Sequence, residues 1–342
     1  MAVMDLYNSL TDEQQERLRS CASLAEMYAV IKEEDIVLTE DHWEAIYGRY
    51  DFGRKNQRAN AIETGLFDRF IVPSEEWREL LCQAEANERA IRSQYPSAAG
   101  QESAACELIA GENEMLWLKL LTAENTRSFL EFCLKLRGGC SEARQRRLAR
   151  EQARLLEYLA DGAPIPDSAG AVLSLWETAN RLEPRWYDDL PAHFRTPGEH
   201  IPFAHGRNPL QSGPAPVGFD TSPPEEIPEA VAHLLEWVHR QGLPRELAAF
   251  AAHFLFARIH PFPDGNGHTA RLLCCGMLAP VYSTVTLTAF LSQMVENRRS
   301  IVNAAILADV SNGDLAPQCC TLLRLLIRGQ KRLLAGKHES RL

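Results

Sequence analysis

The chain has 342 residues, of which 45% are hydrophobic and 24% are charged. This length allows one large or two ordinary domains with a sizeable core, and the composition is typical of a globular protein. A formal net charge of -10 at pH 7 disfavours non-specific binding to nucleic acid, and no motif of a nucleic-acid-binding module is present. The basic segment 322–342 is interpreted as a terminal helix with a solvated basic face, with contact to a membrane or an acidic partner as the alternative.

The sequence predicts a cytoplasmic protein without a membrane partner. It begins without the basic and apolar segments of a secretory signal, and it has no apolar run of about 18 residues. Nine cysteines occur, never as a CxxC pair, and the adjacent pairs Cys274–Cys275 and Cys319–Cys320 lie in apolar surroundings. These cysteines are expected to be buried free thiols rather than zinc ligands.

Helical periodicity dominates the N-terminal half of the chain. A capping pattern, Thr11-x-x-Gln14, opens the first helix, and Ser74 is the candidate N-cap of the second. The last two helices of this half each end close to a glycine. Four segments are predicted as helices: residues 10–36, 74–94, 126–138 and 140–162.

The composition changes in residues 188–228, which are rich in proline and glycine and cannot form a continuous helix. Two extended pieces, His200–Ala204 and Ala215–Phe219, are predicted to pair as a hairpin. Helical patterns then resume over residues 227–242 and 243–260.

The most informative stretch is HPFPDGNGHTARLL, residues 260–273. Gly265 and Gly267 leave backbone N–H groups unshielded, and the residues from 268 to 278 have helical spacing. The loop is therefore predicted to lie at a helix N-terminus, where N–H groups and the helix dipole favour an anion such as phosphate.

Three charged or titratable side chains flank this loop. Arg271, one turn into the helix, can reach a terminal phosphate with its planar guanidinium. Asp264 offers the oxygen ligands that suit a phosphate-bridging Mg²⁺. His260, at the end of the preceding helix, is placed as a general base.

This stretch resembles the signature of the Fic (filamentation induced by cAMP) family, HxFx(D/E)GNGRxxR. The resemblance extends over roughly residues 190–335 and implies an all-α core with a small β-hairpin flap at about 193–222. The predicted organisation is then a helical N-terminal region, 1–185, a Fic domain, 186–335, and a tail, 336–342. The positions in register with the signature are His260, Phe262, Asp264, Gly265, Asn266, Gly267 and Arg271.

The resemblance also implies an activity, the transfer of AMP from ATP to a Ser, Thr or Tyr hydroxyl of a target protein. In this interpretation His260 takes the hydroxyl proton, Asp264 holds Mg²⁺ on the α- and β-phosphates, and Arg271 holds the γ-phosphate. Phe262 would be a packing anchor that fixes the loop. The residues Gly265, Asn266 and Gly267 would cradle the phosphates, with the Asn266 side chain able to take part.

The sequence departs from the signature at His268, where the family has its first arginine. Three interpretations stay open. His268 still donates to the phosphates of ATP; or it signals another diphosphate-containing donor, with transfer of UMP, phosphate or phosphocholine; or the site is weakened and the chain is chiefly a regulatory, inactive Fic-fold interaction module. Removal of AMP from a modified protein is a further variant of the reaction.

Many family members carry an inhibitory helix, (S/T)xxxE(G/N), whose glutamate pairs with the last arginine of the signature. The segment 103–117 is the candidate here, with Glu107 or Glu112 facing Arg271, although each register departs from the pattern at one position. His253 is expected to be packed rather than catalytic, and His200 and Arg207 are candidate flap contacts. A homodimer is a further possibility for this chain.

Overall fold

In the residues that it describes, the computed structural model contains eleven α-helices and one short hairpin. The residues that it describes are 11, 13–14, 17, 30–31, 33–34, 61–111, 113–136, 143–181, 192–199, 221–240, 242–298, 300–301, 304 and 313–335. Contacts divide the chain into two compact units. The first comprises Met1–Ser74 with Val302–Gln318, and the second comprises Glu75–Ile301 with Cys319–Leu342.

The first unit contains an antiparallel hairpin that the sequence did not predict. Strand β1, Ile62–Glu63, pairs with strand β2, Phe70–Ile71, in the register Ile62 opposite Ile71. Within the same unit, the Phe70 N–H donates to the Gly313 carbonyl over 3.0 Å.

The predicted capping pattern at the start of the first helix is confirmed. The Thr11 N–H donates to Gln14 Oε1 over 3.1 Å, and the Gln14 N–H donates to Thr11 Oγ1 over 3.2 Å. The remainder of the predicted helix 10–36 lies largely outside the described residues.

The predicted all-α class is confirmed, since helices make up nearly all regular structure in the described residues. A 3-10 turn at Pro224–Glu226 precedes α7. The helices are α1 Glu75–Gln94, α2 Ala98–Ala110, α3 Glu114–Thr122, α4 Thr126–Leu134, α5 Ala143–Ala160, α6 Ala169–Asn180, α7 Ile227–Val238, α8 Arg245–Ile259, α9 Asn266–Leu278, α10 Thr284–Glu296 and α11 Ala316–Ala335.

Helices α8 and α9 form the centre of the second unit and carry the 260–273 stretch between and within them. Thirteen of the fifteen residues of α8 are buried, as expected for a helix that is apolar on all sides. Helix α9 packs against α8, α6, α5 and α10. The predicted burial of free thiols is confirmed at Cys274, Cys275, Cys319 and Cys320.

The candidate inhibitory segment 103–117 does not form one helix. Helix α2 ends at Ala110, the chain turns at Gly111 with φ 52°, and the Asn113 side chain caps α3 by accepting from the Leu116 N–H over 3.1 Å. The predicted flap strands lie outside the described residues, and the predicted division of the chain at residue 185 stays a prediction. In the part of the chain that is described, no helix is long and apolar enough to cross a membrane.

Candidate functional site

His260 ends α8 in a left-handed backbone conformation, φ 52° and ψ 56°. Its ring Nδ1 lies 3.2 Å from the Ala257 carbonyl oxygen. Because a carbonyl can only accept, Nδ1 carries the proton in the neutral ring and Nε2 is the basic atom. Nε2 is therefore the ring nitrogen of His260 that can accept a proton.

The surroundings of His260 favour its neutral form. Burial lowers the pKa of the imidazole below its ordinary value of 6.5, and the nearby Arg195 charge lowers it further. The Ala257 carbonyl and the Asp264 carboxylate act in the opposite direction but do not outweigh these effects. A base that is neutral at physiological pH can accept a proton.

The loop after His260 is fixed by the Asn266 side chain. Its Oδ1 accepts from the Phe262 N–H over 2.9 Å, and its Nδ2 donates to the Phe262 carbonyl over 2.7 Å. The Asn266 amide is thus engaged within the loop, rather than turned towards a phosphate as the resemblance allowed.

Phe262 is fully buried among three aromatic rings. Its ring stacks on Trp176 with centroids 5.2 Å apart, and the rings of Phe194 and Phe256 lie 5.6 and 6.3 Å away. The Trp176 indole N–H also donates to the Asp264 carbonyl over 2.7 Å. Helix α6, which the sequence did not predict, therefore holds the loop from one side.

Gly265 cannot be replaced without strain, for two independent reasons. Its φ is 81°, in the left-handed region, and an added Cβ would lie 2.3 Å from Asn180 Oδ1. The glycine thus allows the loop to turn sharply against α6.

The start of α9 has the features of an anion site. The Thr269 N–H donates to the Gly265 carbonyl over 3.1 Å, and none of the described side chains caps the helix. By helix geometry the N–H groups of Asn266, Gly267 and His268 point out of this end, where the helix dipole is positive. A phosphate placed there would accept from these N–H groups.

Asp264 lies at the rim of this site with an exposed side chain. Its Oδ1 accepts from the Gly265 N–H over 2.7 Å, which fixes the carboxylate against the loop. Among the described residues, no group of three or more His, Cys, Asp or Glu side chains could hold a metal ion. Asp264 would be a single carboxylate ligand of Mg²⁺. This fits the way in which Mg²⁺ commonly binds beside phosphates, whose oxygens and water complete its ligands.

Arg271 is paired with Glu151 of α5. The Arg271 Nε and Nη2 lie 2.9 and 2.7 Å from Glu151 Oε2, and the side chains of the two residues are 8% and 5% exposed. Burial acts to raise the pKa of the Glu151 carboxyl, but the charges of Arg271 and His268 outweigh it and the pKa is lowered. Glu151 is therefore an anion that occupies the guanidinium expected to hold a γ-phosphate.

His268 supplies a second contact to the same carboxylate, with Nε2 3.3 Å from Glu151 Oε1. Its Nδ1 lies 3.0 Å from Asn180 Oδ1. The Asn180 amide is oriented by its Nδ2, which donates to the Trp176 carbonyl over 2.9 Å. Both nitrogens of His268 face acceptors, and the doubly protonated ring is the form that can donate to both.

The structure does not pair Glu107 with Arg271, and the choice of an inhibitory glutamate stays a prediction. Glu107 is exposed on α2, Glu112 lies outside the described residues, and the carboxylate facing Arg271 is that of Glu151. The surrounding segment, Arg147-x-x-x-Glu151-Gln152, keeps only the glutamate of the family string. The contact joins residues 120 positions apart, so no local pattern could have indicated it.

Three further predictions concerned His253, His200 and Arg207. His253 is buried on α8, its Nδ1 has no hydrogen-bond partner among the described residues, and burial lowers its pKa to about 3. Such a histidine is a packed, neutral side chain. His200 and Arg207 lie outside the described residues.

Comparison with known proteins gives a match to the Fic/DOC family over residues 185–278. Protein adenylyltransferase fic-1 of Caenorhabditis briggsae and that of Caenorhabditis elegans are each 36% identical over 91 residues, which is 25% of this chain and 17% of the relative. The chain thus matches only a minor part of the length of these relatives. A structure of a Fic family protein from Desulfovibrio desulfuricans G20 has a similar fold, with 17% identity and a TM-score of 0.51 over 78% of this chain and 77% of that chain. The range that matches the Fic/DOC family, residues 185–278, contains His260 and the loop and helix that follow it.

Proposed function

We propose that this chain transfers AMP from ATP to a hydroxyl group of a target protein, with His260 as the general base. The observation that carries the proposal is the short connection between His260, whose Nε2 is the basic atom, and the uncapped N-terminus of α9. The names of the two matched relatives, both adenylyltransferases, support the same choice.

The proposed reaction is a displacement at the α-phosphorus of ATP. The target hydroxyl oxygen attacks the α-phosphorus of ATP, and its proton passes to Nε2 of His260. The bond between the α-phosphorus and the oxygen that bridges to the β-phosphate breaks, and pyrophosphate leaves. The N–H groups at the start of α9 would hold phosphate oxygens throughout, so that positioning and charge stabilisation carry most of the catalysis.

Asp264 would hold Mg²⁺ on the ATP phosphates, where the ion would neutralise phosphate charge. The oxygen of Asp264 that is bonded to the Gly265 N–H keeps the carboxylate at the entrance of the anion site. His268 would donate to the same phosphates once Glu151 has left.

Glu151 would restrain this activity, because its carboxylate occupies Arg271. A γ-phosphate and a carboxylate bind a guanidinium in similar bidentate fashion and therefore compete for it. In this proposal the ground state of the enzyme is autoinhibited, and displacement of Glu151 accompanies productive ATP binding.

The test is self-labelling of the purified chain with Mg²⁺ and a set of donors. ATP labelled at the α-phosphate and ATP labelled at the γ-phosphate distinguish transfer of AMP from transfer of phosphate. Labelled UTP, GTP and CDP-choline test the other donors that His268 leaves open. Each reaction is repeated with Glu151→Ala, which removes the restraint, and with His260→Ala, which removes the base.

We expect labelling from α-labelled ATP alone, increased by Glu151→Ala and abolished by His260→Ala. Labelling that persists in His260→Ala would contradict the assignment of the base. A label from another donor would replace ATP in the proposal, and a chain that binds ATP but labels nothing in either background would favour the interaction module. Loss of AMP from a previously labelled chain, dependent on His260, would identify the hydrolytic variant.

A further inference from the structure

We propose that Arg195 is a positioning residue, which holds the backbone of His260 and thereby aims the catalytic ring. The inference rests on the proposed role of His260 as the base. Neither the periodicity nor the 260–271 signature singled out this arginine, which precedes the signature by 65 positions.

Arg195 donates to two successive backbone carbonyls, those of His260 and Pro261. Its Nε donates to the His260 carbonyl over 2.7 Å, and its backbone N–H donates to the Pro261 carbonyl over 2.8 Å. Its Nη2 donates to the Ser222 carbonyl over 2.7 Å. The side chain is 5% exposed, so these carbonyls take the place of water around the guanidinium.

His260 needs such support because its backbone is in the left-handed region, with φ 52°. This conformation is unfavourable for a residue other than glycine, and it is kept only where surrounding contacts fix it. The His260 N–H donates to the Phe256 carbonyl over 3.0 Å, and Arg195 takes the His260 carbonyl. Both peptide groups of the residue are thus held, and the direction of the ring is set.

The charge of Arg195 has a second effect at the same place. It lies beside the C-terminus of α8, where a cation is favoured by the helix dipole. It also disfavours the charged form of the His260 ring, in the same direction as burial and against Asp264. Arg195 thus orients the ring and helps to keep it neutral.

Two variants separate these effects from a general loss of structure. Arg195→Lys keeps the charge but lacks the fork that reaches two carbonyls at once. Arg195→Met removes the charge and the donors while keeping a similar stem. The matched control is Arg245→Gln at the other end of α8, about 22 Å away by helix geometry, where the arginine donates to the Met277 carbonyl over 3.5 Å.

Two functional measurements and one of stability are made on each variant. The first is the NMR titration of the His260 ring, assigned among the ten histidines of the chain by the signal that His260→Ala removes. The second is the maximal rate of self-labelling from α-labelled ATP, with the ATP concentration that gives half of it, in the Glu151→Ala background. The midpoint of thermal unfolding is recorded to compare stability.

We expect Arg195→Met to lower the maximal rate roughly 10- to 100-fold, with a change of less than about threefold in the half-saturating ATP concentration, since the phosphate contacts are intact. The pKa of His260 should rise in this variant. In Arg195→Lys the pKa should stay low while the rate still falls, and Arg245→Gln should change neither.

The inference is overturned if folded Arg195→Met keeps the rate and the His260 titration of the parent. If Arg195→Met does not fold, Arg195→Lys decides, and an unchanged maximal rate in that variant overturns the inference. If the parent transfers no nucleotide, the proposed function fails, yet the His260 titration still shows whether Arg195 controls the ring.

Discussion

The loop after His260 and the Glu151 contact lie at the same site but are held by different forces. The loop is fixed by neutral, short hydrogen bonds between Asn266 and the Phe262 backbone and by packed aromatic rings. Glu151 is held mainly by the opposite charge of Arg271, with a second contact from the His268 ring. An incoming phosphate can replace the carboxylate at Arg271 but offers nothing that replaces the loop bonds, so one region is a framework and the other is releasable.

The largest expected effect is on the framework. Asn266→Ala removes both bonds to Phe262 and leaves a buried N–H and a buried carbonyl unpaired, at a cost of about 1–3 kcal/mol each. We expect His260-dependent labelling to fall by about 10²-fold or more, because small displacements of a catalytic loop have effects of this size. Labelling and thermal unfolding are measured together.

The control for that variant is Asn297→Ala, which also removes an amide bonded to a backbone carbonyl, that of Gln293 at 2.8 Å. It should leave labelling within about twofold of the parent. If Asn266→Ala labels as fast as this control, the loop is not a rigid framework.

The next effect is on the releasable contact. Glu151→Ala should raise self-labelling about 10-fold or more, since a contact of two charged hydrogen bonds no longer competes with the γ-phosphate. It should also lower the thermal unfolding midpoint without ligand, because Arg271 is left as an unpaired buried charge. ATP should then stabilise this variant more than the parent.

Glu157→Ala is the matched control, since it lies on the same helix and loses a pairing with Arg181 at 3.4 Å. It should change neither labelling nor the ATP response. Equal labelling by the parent and by Glu151→Ala would mean that the Glu151 contact does not restrain the enzyme.

A smaller effect, with opposite signs in two backgrounds, is expected at His268. With Glu151 present, His268→Gln should raise labelling by roughly 10-fold or less, because one of the two side chains holding the carboxylate is lost. In the Glu151→Ala background the same change should lower labelling, because a donor to the phosphates is lost. The effects of His268→Gln with and without Glu151 together form a double-mutant cycle, which measures the coupling between the two residues.

His239→Gln, which removes a ring contact to the Pro166 carbonyl at 3.0 Å, serves as its control. The same sign for His268→Gln in both backgrounds would show that His268 contacts either the carboxylate or the phosphates, and not both in turn.

The smallest effect is on pH dependence. Burial lowers the pKa of His260, so the neutral base persists as the pH falls and is lost only below the ordinary value of 6.5. In the Glu151→Ala background, labelling should therefore fall less than about twofold between pH 7.5 and 6.5. An acidic limb centred at or above pH 6.5 would contradict a buried, neutral His260.

The sequence predicted most of the framework and little of the releasable contact. Helices α1, α4, α5, α7, α8 and α9 follow from apolar periodicity and caps, and the 260–271 stretch indicated its own chemistry. Helix α6 was not predicted, although Ser168 accepts from the Ala171 N–H as its N-cap and Val172, Leu175, Trp176 and Ala179 form a buried face. The signal was present but short, and it followed a proline-containing loop.

Glu151 and Arg195 could not be predicted for a different reason. Each lies in a run with several charged or polar neighbours, and its partner is 120 or 65 residues away in the chain. Charge, spacing and helix propensity are local properties, whereas these contacts depend on how α5 and the 192–199 segment meet the ends of α8 and α9. Glu107 matches the family string better than Glu151 does, yet Arg271 is paired with Glu151, so a short string without its tertiary partner does not indicate this contact.

Asn180 links two parts of this site. Its side chain leaves no room for a Cβ at position 265, orients the ring of His268, and lies outside the residues 185–278 that match the family. Because the same side chain contacts both positions, a substitution of Asn180 should act on the turn at Gly265 and on the orientation of the His268 ring together.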